Sequence, residues 1–176
     1  FDDYIMLLEA GQSQARAQAY VDEIKRQFPD KPIRYVLNTH AHSDHSPGLP
    51  VLVAEGATII THENNREFFE RALNTPRTLL DDALAKNPKK AKVDPVGTKK
   101  VYTDGKRVVE MYHIYPAPHS NGLIVAYIPK EKVLFQGDFS GLEVRGLNLA
   151  GARLRQADLS LTVMNRTRFS RADMRG

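Results

Sequence analysis

The chain has 176 residues, of which 41% are hydrophobic, and a formal net charge of +4. That length supports one domain with a real core plus a small appendage, and it excludes two full domains. Cysteine is absent, which excludes disulfides, thiolate metal ligands and a cysteine nucleophile and leaves the redox compartment unread.

The opening, FDDYIMLLEAG, lacks a basic segment followed by an apolar one, and no run of 18 apolar residues occurs anywhere. Neither a signal peptide nor a transmembrane helix is expected. YIMLLEA reads as a buried strand, and its start so near Phe1 suggests missing upstream sequence. Ser13 is placed to cap a helix whose buried face carries Ala17, Val21, Ile24 and Phe28, closed by Pro29. PIRYVLNT, residues 32–39, reads as a second strand, so the first forty residues have the rhythm of an α/β sheet. GLPVLVAEGA predicts a helix ending near Gly56, TIITH a strand and ENNREFFERAL another helix. Residues 75–98 are expected to be an extended loop with a short helix around LLDDALAK. Two hairpins follow, one turning at Asp104-Gly105 and one at PKEK, residues 129–132. His62 and His113 read as ordinary surface or edge histidines.

The chemistry concentrates where the second predicted strand ends, in NTHAHSDHSPG, residues 38–48. His40 and His42, two positions apart, can point to one side of an extended backbone and grip one ion. Asp44 and His45 follow on a turning backbone and suit a second ion. Imidazole and carboxylate donors without thiolate fit zinc, with iron or manganese as competitors.

THAHSDH resembles the HxHxDH signature of the metallo-β-lactamase superfamily of αββα hydrolases, and APHSNG and VLFQGDF supply the later motif elements in the family's order. The resemblance covers about residues 3–139. It implies that His40, His42 and His119 hold a first metal, that Asp44 and His45 help hold a second, and that Asp138 bridges them. Zn²⁺, one or two ions, is the implied cofactor, and the implied activity is hydrolysis of an ester-, thioester- or lactam-like bond of a small molecule by a metal-bound hydroxide. Asp44 is the implied catalytic residue, fixing the attacking oxygen by hydrogen bonding, and Thr39 and Glu9 are candidates for orienting the imidazoles. PHSNGLIVAYIPKEKVLFQGDF looks most like the periplasmic quinoprotein-relay and sulfur-oxidation-associated hydrolases of the superfamily. Pro47 stands where the family usually has glycine. The family also places a further metal-binding histidine on a later strand, whereas the six histidines here are 40, 42, 45, 62, 113 and 119. The expected fold is therefore a partial αββα domain, residues 1–140, incomplete at both ends.

Composition changes abruptly after it. Residues 142–176 hold seven Arg, no Lys and three acids, and so carry the whole excess of charge. They repeat with a period of five, centred on Val144, Leu149, Leu154, Leu159, Met164, Phe169 and Met174, with Ala152, Ala157, Thr162, Thr167 and Ala172 two places before a centre. This resembles the pentapeptide-repeat family, which implies a short right-handed quadrilateral β-solenoid over residues 141–176. Without interleaved aromatics, the basic tail reads as a solvated solenoid face, not a nucleic-acid site. The second functional expectation is thus an inactive truncated or chimeric chain whose tail is a protein-interaction module. Substrate identity and oligomeric state are not legible.

Overall fold

A computed structural model describes residues 1–138, 143–145, 150, 163–165, 168 and 170–172. The chain divides into two compact units, Phe1–Pro95 and Val96–Gly176.

The first unit alternates strand and helix: β1 (Ile5–Leu8), α1 (Gln14–Gln27), β2 (Ile33–Leu37), α2 (Leu49–Glu55), β3 (Thr58–His62), α3 (Glu63–Asn74), α4 (Ala83–Lys86) and β4 (Lys92–Val96), whose last residue crosses the boundary. The sheet order is β1-β2-β3-β4, with β1, β2 and β3 parallel. Ser13 Oγ caps α1 by accepting from the Arg16 N–H at 3.2 Å. Ala17 and Val21 are buried one turn apart as expected. Phe28 is not on that face. It is the C-cap residue, where the backbone leaves the helical conformation, and its ring is 43% exposed with the Lys31 ammonium 5.9 Å from its centre. Six of the seven residues of α2 are buried, which makes it the central helix of this core; the remaining one, Glu55, pairs with Lys25 of α1 at 2.8 Å. Val36, Leu52, Ile59 and Phe69 pack into the same core. Each such side chain contributes about 1.5–3 kcal/mol on burial.

Strand β4 falls within residues 75–98, where the sequence predicts an extended loop. Its sequence, KVDPV, has no apolar alternation and contains a proline, which is tolerated because β4 is an edge strand. The segment before it is tied to α3, where Asn74 Oδ1 accepts from the Ala91 N–H at 2.8 Å.

Between α3 and β4, the loop at 75–82 is clamped by an ion pair between Arg77 and Asp82, both largely buried. The Arg77 Nε–H donates to Asp82 Oδ2 at 2.6 Å, and Asp82 Oδ1 caps α4 by accepting from the Ala85 N–H at 2.8 Å. Burial by itself pushes the Asp82 carboxyl up, but the hydrogen bonds from Arg77 and Ala85, with the Arg77 charge and the Leu84 N–H, outweigh it and hold the group below the usual carboxylate range. A depressed folded pKa stabilises the protein above the unfolded value of about 3.9 and stops doing so as pH falls through the folded value. The stability difference between the natural chain and Asp82→Asn is therefore expected to be constant from neutral pH down to about pH 4 and to shrink below it, measured as thermal midpoints across a pH series.

The second unit is an antiparallel meander of β5 (Lys99–Thr103), β6 (Val108–His113), β7 (Ile124–Ile128) and β8 (Val133–Phe135), paired in that order. Both predicted hairpins are present. Gly105 takes φ +87° in the first turn, where Asp104 Oδ1 accepts from the Lys106 and Arg107 N–H groups at 3.0 and 2.7 Å. Ile128 pairs with Val133 across the second. Further on, β9 (Glu143–Arg145) pairs in parallel with β10 (Val163–Asn165), with Val144 opposite Met164, an offset of twenty positions. Most of the expected pentapeptide repeat lies outside the described residues.

Candidate metal centre

Strand β2 delivers the histidine segment. Past its last residue the backbone stays paired for one more position, the Asn38 N–H donating to the Ile60 carbonyl at 2.8 Å, so Thr39 and His40 enter the loop fully buried. The chain then turns back on itself: the His45 N–H and the Ser46 hydroxyl both donate to the His42 carbonyl, at 3.1 and 2.9 Å. This turn brings three imidazoles together. The His40 ring lies 4.5 Å from the His42 ring and 4.3 Å from the His45 ring. His40 Nε2 and His42 Nδ1 face each other at 3.0 Å. Asp44 stands at the exposed rim, its Oδ2 3.5 Å from His45 Nε2.

Glu9, just past β1, organises the group. It sits in the left-handed region at φ +78°, a conformation costing about 1–2 kcal/mol for a residue with a Cβ. Its N–H donates to the Leu37 carbonyl at 2.9 Å, which aligns it with the end of β2. The Thr39 hydroxyl donates to Glu9 Oε2 at 2.6 Å, so its oxygen is available to accept from His40 Nδ1 at 3.1 Å. The same Glu9 oxygen accepts from His45 Nδ1 at 3.1 Å. Both imidazoles are thereby held with Nδ1 protonated and the Nε2 lone pair directed away from Glu9. The expected orienting partners, Thr39 and Glu9, are thus in place.

Asn38 went unrecognised in the sequence. Fully buried, it donates from Nδ2 to the His45 carbonyl at 3.0 Å and to Glu9 Oε1 at 3.4 Å, bracing the turn, while its Oδ1 has no hydrogen-bond partner among the described residues. A polar residue at a strand end gives no sequence signal of such burial. His62 corrects another expectation. It is 3% exposed and caps α3, Nδ1 accepting from the Asn64 N–H at 3.2 Å, because the strand-to-helix turn leaves that donor without a helical partner.

In the second unit, His119 lies in the loop between β6 and β7. The base of that loop is pinned by the Ile114 N–H donating to the Leu123 carbonyl at 3.0 Å. His119 Nε2 meets Asp138 Oδ2, beyond β8, at 3.0 Å. Each unit therefore presents its own imidazole-carboxylate group.

The donor set fits a divalent cation. Tetrahedral zinc with Zn–N of about 2.0–2.1 Å holds two nitrogens roughly 3.4 Å apart, close to the 3.0 Å between His40 Nε2 and His42 Nδ1. Glu9→Gln, which alters the acceptor that fixes two imidazoles, is expected to weaken zinc affinity by about 10- to 100-fold in a competition titration with a chromophoric chelator.

A parallel α/β layer whose second strand ends in an imidazole cluster, in a chain whose antiparallel unit carries a histidine and an aspartate on successive loops, defines a mixed α/β protein with metal-binding groups. The sequence model of the metallo-beta-lactamase superfamily matches residues 2–165, and the chain belongs to that superfamily. Among curated proteins, it is similar to the 2,4-dinitroanisole O-demethylase subunit alpha of Nocardioides sp. (strain JS1661), 26% identical over 143 residues that cover 78% of this chain and 38% of that protein. Among solved structures, the BLEG-1 B3 metallo-beta-lactamase is 26% identical with a TM-score of 0.55, covering 78% of this chain and 63% of that one. The flavodiiron protein from Giardia intestinalis shares the fold at 23% identity and a TM-score of 0.57, covering 80% and 32%. The chain spans from about a third to under two thirds of the length of these relatives.

Proposed function

We propose that the chain is the metal-binding portion of a metal-dependent hydrolase acting on an ester-, thioester- or lactam-like bond of a small molecule. The observation that carries this reading is the division of labour in the imidazoles of the first unit. Glu9 and Thr39 occupy Nδ1 of His45 and His40, which turns Nε2 of each ring away from Glu9, and that of His40 toward His42. Carried over from the family, His40, His42 and His119 would hold one ion and Asp44 and His45 would contribute to a second, with Asp138 as a further donor. Zinc suits these donors; iron is the alternative, since one protein of this fold is a flavodiiron protein. A bound divalent ion supplies Lewis acidity and a water of lowered pKa. Asp44, whose side chain is 60% exposed, would accept a hydrogen bond from the attacking water and fix its direction. Glu9 and Asn38 keep the turn rigid during the reaction. The Nocardioides relative is named for removing a methyl group from an aryl ether, which adds activated aryl ethers to the substrates worth assaying.

A second reading has its own support. The parallel pairing of β9 with β10 at an offset of twenty positions equals four pentads, the length of one coil in a quadrilateral pentapeptide solenoid, and it puts two repeat centres, Val144 and Met164, opposite each other. On that reading the hydrolase-like region ends near residue 140, and residues 141–176 form an interaction module on a chain without turnover.

One experiment separates the two: elemental analysis of the purified chain after equilibration with Zn²⁺, followed by hydrolysis assays on ester, thioester and lactam substrates. About one to two zinc ions per chain with turnover supports the hydrolase. Absence of bound metal supports the second reading.

A further inference from the structure

The helices of the first unit enclose two hollows away from the histidines. One, of about 400 Å³, is bounded by α3, the 75–82 loop and the segment after α4, with Leu73, Pro76, Leu84 and Pro88 as its apolar wall and Lys89 and Lys90 among its lining residues. The other, of about 240 Å³, lies under Phe68 and Phe69 and reaches Ser46 and Pro47, the last residues of the metal-binding turn before α2. Leu73 and Arg77 line both, so the two hollows adjoin along these two side chains.

The charges along this path are unequal. Arg77 is already neutralised by Asp82. Lys86, nearby in sequence, is paired with Asp81 at 3.1 Å. Lys89 and Lys90 have no carboxylate partner among the described residues, and no acidic residue lines either hollow. The half-exposed ring of Phe68 and the outward-facing Leu79 and Leu80, 94% and 56% exposed, add apolar surface on α3 and the clamped loop. An apolar trough with exposed lysine ammonium groups at its far end, paired with no carboxylate among the described residues, complements a molecule that has an apolar body and an anionic head. Its combined size suits a small ligand.

We propose that this trough binds an anionic amphiphilic small molecule, its carboxylate or comparable anion at Lys89 and Lys90 and its apolar part along Leu73 and Phe68 toward the metal-binding turn. The binding stands on the trough alone; that the bound molecule is the substrate rests on the hydrolase reading. The trough then selects, among ester-like compounds, those bearing an anion at the end remote from the scissile bond.

The test uses octanoate and octan-1-ol as probes, followed by calorimetry and by amide chemical shifts, on the metal-free and the zinc-equilibrated full chain. Octanoate is expected to shift amides of residues 73–77 and 84–90 in both states. Lys89→Ala/Lys90→Ala is expected to weaken octanoate about five-fold while leaving octan-1-ol unchanged, and Lys89→Arg/Lys90→Arg to retain binding. Phe68→Ala, at an exposed position that folding tolerates, is expected to weaken both probes. Unchanged octanoate affinity in the double alanine variant, or shifts confined to other regions, overturns the site. Octanoate binding at the trough in a chain that hydrolyses no ester in either metal state upholds the site and overturns its role as a substrate site, together with the hydrolase reading.

Discussion

His42→Ala is expected to abolish tight zinc binding while leaving the fold intact. His42 is an exposed member of the cluster, so its truncation removes little packing, and the thermal midpoint of the metal-free protein should match the natural chain within the effect of a surface substitution, about 0.5 kcal/mol. Its Nδ1 is one of the two nitrogens that converge at 3.0 Å, and no other side chain of the turn replaces it at that place. Loss of a direct donor should exceed the roughly 10- to 100-fold that losing an orienting partner costs. Elemental analysis of the two proteins side by side reads the result. Equal zinc content would show that the His40–His42 pair is not the cation site. The same measurement on His40→Ala is less clean, because His40 is fully buried and its removal opens a cavity.

Gly48→Ala is expected to be among the most damaging single-methyl additions in the first unit. Gly48 has an ordinary helical φ of −78°, so the penalty is spatial and not conformational. A Cβ there would fall 1.9 Å from the Ala10 carbonyl oxygen and 2.8 Å from both the Ala10 carbonyl carbon and the Ala17 Cβ. None of these is the tip of a flexible chain. Either the β1–α1 connection or the start of α2 must move, and the hydrogen bond from the Gly48 N–H to the Gly11 carbonyl goes with it. A cost of about 3 kcal/mol is expected, seen as a lowered thermal midpoint, and zinc affinity should fall too because Glu9 adjoins Ala10. Gly105→Ala is the comparison: no atom lies within 4 Å of its Cβ position, so only the +87° backbone opposes it, at about 1–2 kcal/mol. A Gly48 variant as stable as the Gly105 variant would refute the steric argument.

The contrast between what could and could not be read in the sequence follows from where each signal resides. Helix α1 was legible because Ser13, Ala17 and Val21 carry their own cap and periodicity, and both hairpins were legible from turn residues at Asp104-Gly105 and at 129–132. The HxHxDH segment announced a candidate metal site because its donors are adjacent in sequence. Strand β4 was not legible, since an edge strand is recruited through backbone hydrogen bonds and KVDPV has no side-chain pattern to show it. The close approach of Gly48 to Ala10, the burial of Asn38 and the capping by His62 all depend on segments that meet only after folding. Phe28 continued the apolar spacing of α1 past the point where the helix stops, so periodicity alone misplaced it.

The link between Glu9 and His45 spans 36 positions and closes on itself inside one strand-helix-strand repeat. The Glu9 carboxylate, the Thr39 hydroxyl and the Asn38 amide, which orient the His40 and His45 rings and brace their turn, all lie between residues 9 and 46. These orienting contacts are therefore local to one strand-helix-strand unit. A change downstream of α2 that leaves the first unit folded also leaves the contacts of Glu9, Asn38 and Thr39 with this turn in place.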